Sequence, residues 1–259
     1  MKIVAPEAIS DLPGKRLKDT DTFQFRCHEG LSCFNQCCRN LNLFLYPYDV
    51  IRLARCLEMN ADAFLDTHVD VVMRPGNYFP DVLLRMADNP ERTCPFLTPS
   101  GCRVYPDRPD TCRTFPVEHG ILMGNSPTQT QRLSFFRPPD FCRGADETQT
   151  WTLSAWAKDQ DAVMYNQMTA KWAGVKSLFL KNPWGHSGME GQKGKMAFMA
   201  AYNVDRFREF VFQSSFLKRC RIKKELATKL RTSDRDLMLF GFEWIRFFIW
   251  AIPSPHIRM

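Results

Sequence analysis

Residues 22–27, TFQFRC, alternate apolar and polar positions like a short strand, and so do residues 41–46, LNLFLY. Pro47 ends the second strand. Val50, Ile51, Leu53, Ala54 and Leu57 then recur at helical spacing, with Asp49 at the positive end of the helix dipole. Asn60 is placed to cap a second short helix, ADAFLDTHV. Residues 70–74 and 80–86 again read as strands, split by the turn signal Pro75-Gly76-Asn77. Prolines 95, 99, 106, 109 and 116, with Gly101, forbid a long regular element and predict a loop-built segment. Within it, Pro109 opens a single helical turn carrying Cys112 and Arg113. Residues 117–136 predict a hairpin around Gly124-Asn125.

The pattern changes near residue 150. Trp156, Val163, Met164, Gln167, Lys171, Trp172 and Val175 predict one long amphipathic helical stretch. Residues 181–195, KNPWGHSGMEGQKGK, read as an exposed loop. Three helical stretches follow, near 203–218, 221–231 and 234–250, the last opened by a capping box of Ser233 and Asp236. The expected fold is therefore α+β. A loop-rich domain with short strands (1–150) is followed by a helical C-terminal region (151–259) packed on it.

Composition adds a globular frame. Apolar content of 44% argues against disorder, and 259 residues suffice for a large core or two subdomains. The start of the chain lacks a secretory pattern, and no apolar run reaches bilayer length, so a cytoplasmic location is expected. Ten cysteines in a reducing compartment point to metal ligation rather than disulfides.

Eight of the ten cysteines cluster. Cys27, Cys33, Cys37 and Cys38 lie on the loop between the first two strands. Cys94, Cys102, Cys112 and Cys142 lie in the proline-rich segment and just beyond the hairpin. Thiolates favour zinc, Cu(I) and iron–sulfur clusters over Mg²⁺ or Ca²⁺. The spacing matches neither a zinc ribbon with two CxxC knuckles nor a CxxxCxxC cluster motif. An iron–sulfur cluster is favoured, with zinc the alternative. Cys56 and Cys220 sit on helical patterns and read as packing residues. Arg103, Arg108 and Arg113 interleave with the second group and read equally as cations that offset thiolate charge and as ordinary surface arginines. His28 and His119 read as packing or solvated residues ahead of alternative metal ligands, His68 reads as a surface residue, and Asp107 and Asp110 read equally as acid or base groups and as turn residues beside proline.

The strings CHEGLSCFNQCCR, PYDVIRL, CPFL…GCRVYPDRPDTCRTFP and CRG followed by TLSAW resemble the YkgJ-type cysteine-cluster proteins over residues 22–175. That resemblance implies a zinc- or iron-chelating domain whose eight family cysteines correspond to the eight named here. The cysteine region is also similar to a flagellin lysine N-methylase. A metal-containing protein lysine N-methyltransferase is thus an alternative to plain metal binding. A net charge of +7 and the basic stretch Lys218, Arg219, Arg221, Lys223, Lys224, Lys229 and Arg231 raise a third alternative, a nucleic-acid-binding module with a structural metal. For that stretch a solvated helix face is preferred to nucleic acid or a membrane surface. The closing run LMLFGFEWIRFFIW is expected to be a buried helix, a membrane-surface helix being the minority reading. A protein partner stays open. No phosphate-binding loop, nucleophile elbow or HExxH motif is present.

Overall fold

The computed structural model describes residues 2–4, 9, 12–123 and 130–258. Its strands are β1 (Lys2–Val4), β2 (Lys15–Leu17), β3 (Thr22–Gln24), β4 (Val69–Val72), β5 (Asp81–Leu84), β6 (Leu97–Thr98), β7 (Gly101–Cys102), β8 (Val117–Met123), β9 (Thr130–Phe136) and β10 (Thr150–Thr152). Its helices are α1 (Pro47–Cys56), α2 (Ala61–His68), α3 (Asp110–Thr114), α4 (Leu153–Asp159), α5 (Ala162–Lys176), α6 (Gln192–Tyr202), α7 (Val204–Gln213), α8 (Phe216–Arg219), α9 (Lys224–Thr232) and α10 (Asp234–Trp250). Short strands in small sheets and a helical C-terminal part make the fold α+β.

The chain divides into two compact units, and the division is interleaved. One unit holds residues 1–44 and 84–174, the other 45–83 and 175–259. Residue 150, the boundary expected from the change in pattern, falls inside the first unit. Residues 45–83 group with the C-terminal helices because the apolar faces of α1 and α2 contact α6, α7 and α10. Sequence periodicity reports the face an element buries, not its partner.

In the first unit, β1, β8, β9 and β2 form a four-stranded sheet in that order. β8 and β9 run antiparallel, with Val117 opposite Phe136 and Met123 opposite Thr130. The expected turn at Gly124-Asn125 lies outside the described residues. β3 pairs with β10, setting Phe23 opposite Trp151. Leu17, Phe23, Phe25, Val117, Leu153 and Trp156 form the core between these elements, with Cys142 packed among them. The rings of Phe23 and Phe25 meet Trp156 edge-on, at 6.1 and 5.4 Å between centroids. Both indole N–H groups are used: Trp151 donates to the Phe25 carbonyl at 2.8 Å and Trp156 to that of Thr114 at 3.0 Å.

Some expectations need correction, among them the single stretch near 203–218, which is the two helices α7 and α8. The long stretch 156–175 is two helices. Thr152 caps α4 by accepting from Ala155 N–H, and Asp161 closes that turn in the left-handed region, at φ 51°, before α5 begins. The expected strand 41–46 is not a regular strand. It is extended chain whose Leu43 carbonyl accepts from Leu84 N–H and whose Leu45 N–H donates to Val82, both at 2.8 Å.

In the second unit, local chemistry sets the helix starts. Pro47 is the first residue of α1, and Asp49 folds back to accept the Tyr46 N–H at 2.8 Å. Asn60 caps α2 through Ala63 N–H, and Ser233 caps α10 through Asp236 N–H. The exposed loop expected over 181–195 stops at Gly191, because α6 starts at Gln192. Its buried face is Gly194, Ala197, Ala200, Ala201 and Tyr202, small residues that let α10 come close. A Cβ on Gly241 of α10 would lie 2.3 Å from the Ala200 carbonyl oxygen. α10 buries Leu237, Met238, Phe240, Phe242, Trp244 and Ile245, so the closing apolar run is a buried helix. No helix among the described residues is long and apolar enough to cross a membrane.

Gly241→Ala must therefore push α10 away from α6. The expected loss is about 1–3 kcal/mol, the usual cost of overpacking, read as a lower urea midpoint with an unchanged slope.

Candidate metal centre

All eight clustered cysteines fall in the first unit, while Cys56 and Cys220 fall in the second. The first group sits on successive tight turns. Phe34 N–H donates to Leu31, Gln36 to Cys33 and Cys38 to Asn35. Asn35 takes the left-handed conformation, φ 64°, and opens the 3₁₀ turn of Gln36, Cys37 and Cys38. Asparagine tolerates that conformation better than most residues.

The second group is brought against the first by main-chain bonds. Cys94 N–H donates to the Cys38 carbonyl at 2.8 Å, and Asn40 N–H to that of Arg92 at 2.9 Å. Arg39 pairs with Thr93 as an isolated antiparallel bridge, and its guanidinium meets Glu91 at 3.0 Å. Beyond Cys94, β6 and β7 form a minimal hairpin with Leu97 opposite Cys102. Gly101 closes it at φ 121°, a conformation reserved for glycine. α3 then carries Cys112, with Pro109 as its N-cap residue.

Cys142 precedes the 3₁₀ turn of residues 143–146, beyond β9. Its loop presses onto the strand that leads to Cys27: Arg26 N–H donates to the Gly144 carbonyl at 3.0 Å. A Cβ at Gly144 would lie 2.8 Å from the Arg26 carbonyl oxygen and from the Phe25 ring. Only glycine permits that approach. The same loop directs Arg143 N–H at the Cys33 sulfur, 3.2 Å away.

The sulfurs share an electrostatic pattern. Burial raises the pKa of Cys94, Cys102 and Cys142. Main-chain N–H groups just downstream oppose it: Phe96 and Leu97 at Cys94, Val104 at Cys102, Gly144 and Ala145 at Cys142. Such donors stabilise a thiolate, the form that binds metal. Burial, then the neighbouring Cys37, Cys142 and Cys33, push Cys27 up to about 11. A hydrogen bond with Cys38 raises Cys37. The donor set is soft and so suits a thiophilic metal. It is a neighbourhood rather than a finished coordination shell. Among the described residues, no three Cys, His, Asp or Glu side chains are already grouped as a metal-ion site.

The accessory residues divide. Arg108 stacks on Tyr105, donates to the Tyr105 carbonyl at 2.7 Å and to Gln160 at 2.8 Å, and stands within electrostatic reach of Cys102 and Cys112. Arg113 is buried and serves carbonyls instead: it donates to Arg108 at 2.9 Å, to Gln160 at 3.0 Å and to Pro106, over the face of Tyr165. Arg103 lies over Phe96. His28 accepts from Gly30 N–H and faces Glu147. His119 bonds Ser134 at 3.0 Å. Asp110 is buried, and its carboxyl is pushed up to about 6 by desolvation, with a Thr169 hydrogen bond pulling the other way. Asn35, Gly144 and the N–H donors lay beyond the sequence reading. The one signal for them was the glycine in FCRG.

Residues 26–152 match the family model CxxCxxCC, described as "Putative zinc- or iron-chelating domain". The matched segment is just under half of the chain. No curated protein and no solved structure matches the chain. The family match supports chelation of zinc or iron by the segment that carries all eight cysteines.

His119 supplies a pH test of its packing role. Burial first, then the Arg132 charge, lower its pKa from 6.5 to about 3. The folded chain keeps the ring neutral, while the unfolded chain protonates it below 6.5. The associated stability is complete above 6.5 and is lost as pH falls toward 3. His119→Gln is expected to flatten the acid limb of the stability profile in that window and leave metal content unchanged.

Proposed function

We propose that residues 26–152 hold a metal centre through cysteine thiolates, an iron–sulfur cluster first and zinc second. The donors are Cys27, Cys33, Cys37, Cys38, Cys94, Cys102, Cys112 and Cys142. The observation that supports the reading is the Cys94–Cys38 main-chain bond, which joins one residue of each cysteine group at 2.8 Å. A bound metal supplies Lewis acidity and, in a cluster, an electron-carrying site. The chain's own part is to bring the sulfurs together, supply main-chain N–H donors to Cys94, Cys102 and Cys142, and partly shield the site. Metal entry displaces thiol protons, so loading weakens as pH falls. The basic stretch from Lys218 to Arg231 lies in the other unit, where Leu230 is buried and Arg231 stacks on Phe212.

Anaerobic purification, metal analysis and an absorption spectrum test this reading. Iron with inorganic sulfide and broad visible absorption identify a cluster. Zinc with no visible band identifies the second choice. A reduced chain that holds neither overturns the proposal. Cys56→Ala and Cys220→Ala are expected to keep wild-type metal content.

Metal removal has a local signature. Structural thiolate sites contribute on the order of 10 kcal/mol of apparent binding energy to folding. Hydrogen exchange on the stripped, reduced chain is expected to speed up first at residues 27–40 and 94–116, where turns and prolines replace a core. Equal protection with and without metal would show that sulfur crosslinks do not hold these loops.

A further inference from the structure

We propose that the eight cysteines form two neighbouring four-thiolate centres: Cys27, Cys33, Cys37 and Cys142 in one, Cys38, Cys94, Cys102 and Cys112 in the other. The partition rests on the thiolate reading above and deepens it.

Two sets of contacts divide the sulfurs. On one side, Arg143 N–H reaches the Cys33 sulfur at 3.2 Å, which seats Cys33 beside Cys142. The Arg26–Gly144 bond, at 3.0 Å, brings Cys27 to the same loop. On the other side, the Cys94–Cys38 bond at 2.8 Å joins those two residues. The β6–β7 hairpin returns Cys102 toward Cys94, since Leu97 N–H donates to Cys94 and Leu97 lies opposite Cys102. Arg113, the residue after Cys112 on α3, donates to the Arg108 carbonyl at 2.9 Å, and Arg108 lies within electrostatic reach of both Cys102 and Cys112, so Cys112 goes with this set.

The chain crosses between the sets at Cys37 and Cys38. These are consecutive residues of a 3₁₀ turn. With three residues per turn, their side chains leave the axis about 120° apart, which suits opposite centres. Their sulfurs stay within hydrogen-bonding reach, so the centres are neighbours. Cys37 accordingly acts on Cys27 and Cys142, and also on Cys94 and Cys102. Coordination arithmetic agrees: a tetrahedral thiolate shell closes at four sulfurs, and eight are present. Arg39 lies near Cys37, and Arg108 near Cys102 and Cys112, so each centre has a cation to offset its charge. Each zinc ion that enters displaces the four thiol protons of its centre to solvent.

The test uses the reduced full chain and zinc ion alone. Two zinc ions per chain are expected, with Cys56 and Cys220 alkylated and the other eight thiols protected. Under limiting chelator, mass mapping should show protection lost in two blocks with the membership given above. Cys142→Ser and Cys102→Ser should each halve the zinc content, and the double variant should hold none. The alkylation map of the unmodified chain decides the matter even where a variant fails to fold. One zinc with four protected thiols overturns the partition and leaves the thiolate reading standing. So do two zinc ions protecting blocks of different membership. A chain that holds no zinc and no iron overturns both.

Discussion

The main-chain bond from Cys94 to Cys38 is the constraint on which the cysteine region depends. Between those residues the chain departs to build α1, α2 and β4 in the other unit and then returns. Closing so long an excursion costs conformational entropy, and two residues cannot offset it alone. The cost is shared along the contact. Asn40 bonds Arg92, Arg39 pairs with Thr93 and Glu91, and Ala87 N–H donates to Thr93. These bonds make a seam that needs no apolar side chain. It holds the loops near enough for sulfur to complete the job, because a thiolate site strengthens only what is already within reach.

Two different materials therefore order the first unit. The Phe23, Phe25 and Trp156 cluster is conventional apolar packing, with its indole N–H groups satisfied by carbonyls. The cysteine loops have little of that. Phe96 and Val104 are buried, but around them the segment is turns, prolines and charged residues stacked on rings. Arg113 shows how the gap is filled. A buried guanidinium directed at the carbonyls of Pro106, Arg108 and Gln160 ties three loop positions at once.

What was legible in the sequence follows the range of the interaction. Pro47 with Asp49, Asn60 and Ser233 announced their helices because a cap is satisfied within three residues. The eight cysteines announced a site because their chemistry is scarce and clustered. The α4–α5 break was missed because apolar spacing carries across a single left-handed residue, Asp161. α6 was missed because its buried face is glycine and alanine, which a hydrophobic pattern hardly registers. The interleaved units were illegible for a deeper reason. An amphipathic helix states that it needs a partner and is silent on which one. Gly144 belongs with these, since its importance lies in backbone proximity to Arg26, a residue far away in the sequence.

Interleaving also sets an order of events as the chain leaves the ribosome. α1 and α2 emerge early, yet the helices that cover their apolar faces, α6, α7 and α10, are made last. The first unit, by contrast, is complete once residue 174 is out. Domains tend to fold as units during synthesis, the N-terminal one first. Here that means the cysteine unit can be complete while residues 45–83 still lack their helical partners, with Val50, Ile51, Leu53 and Phe64 waiting for cover. A nascent chain of this protein carries its exposed apolar surface in the middle, between two halves of a unit that has already formed.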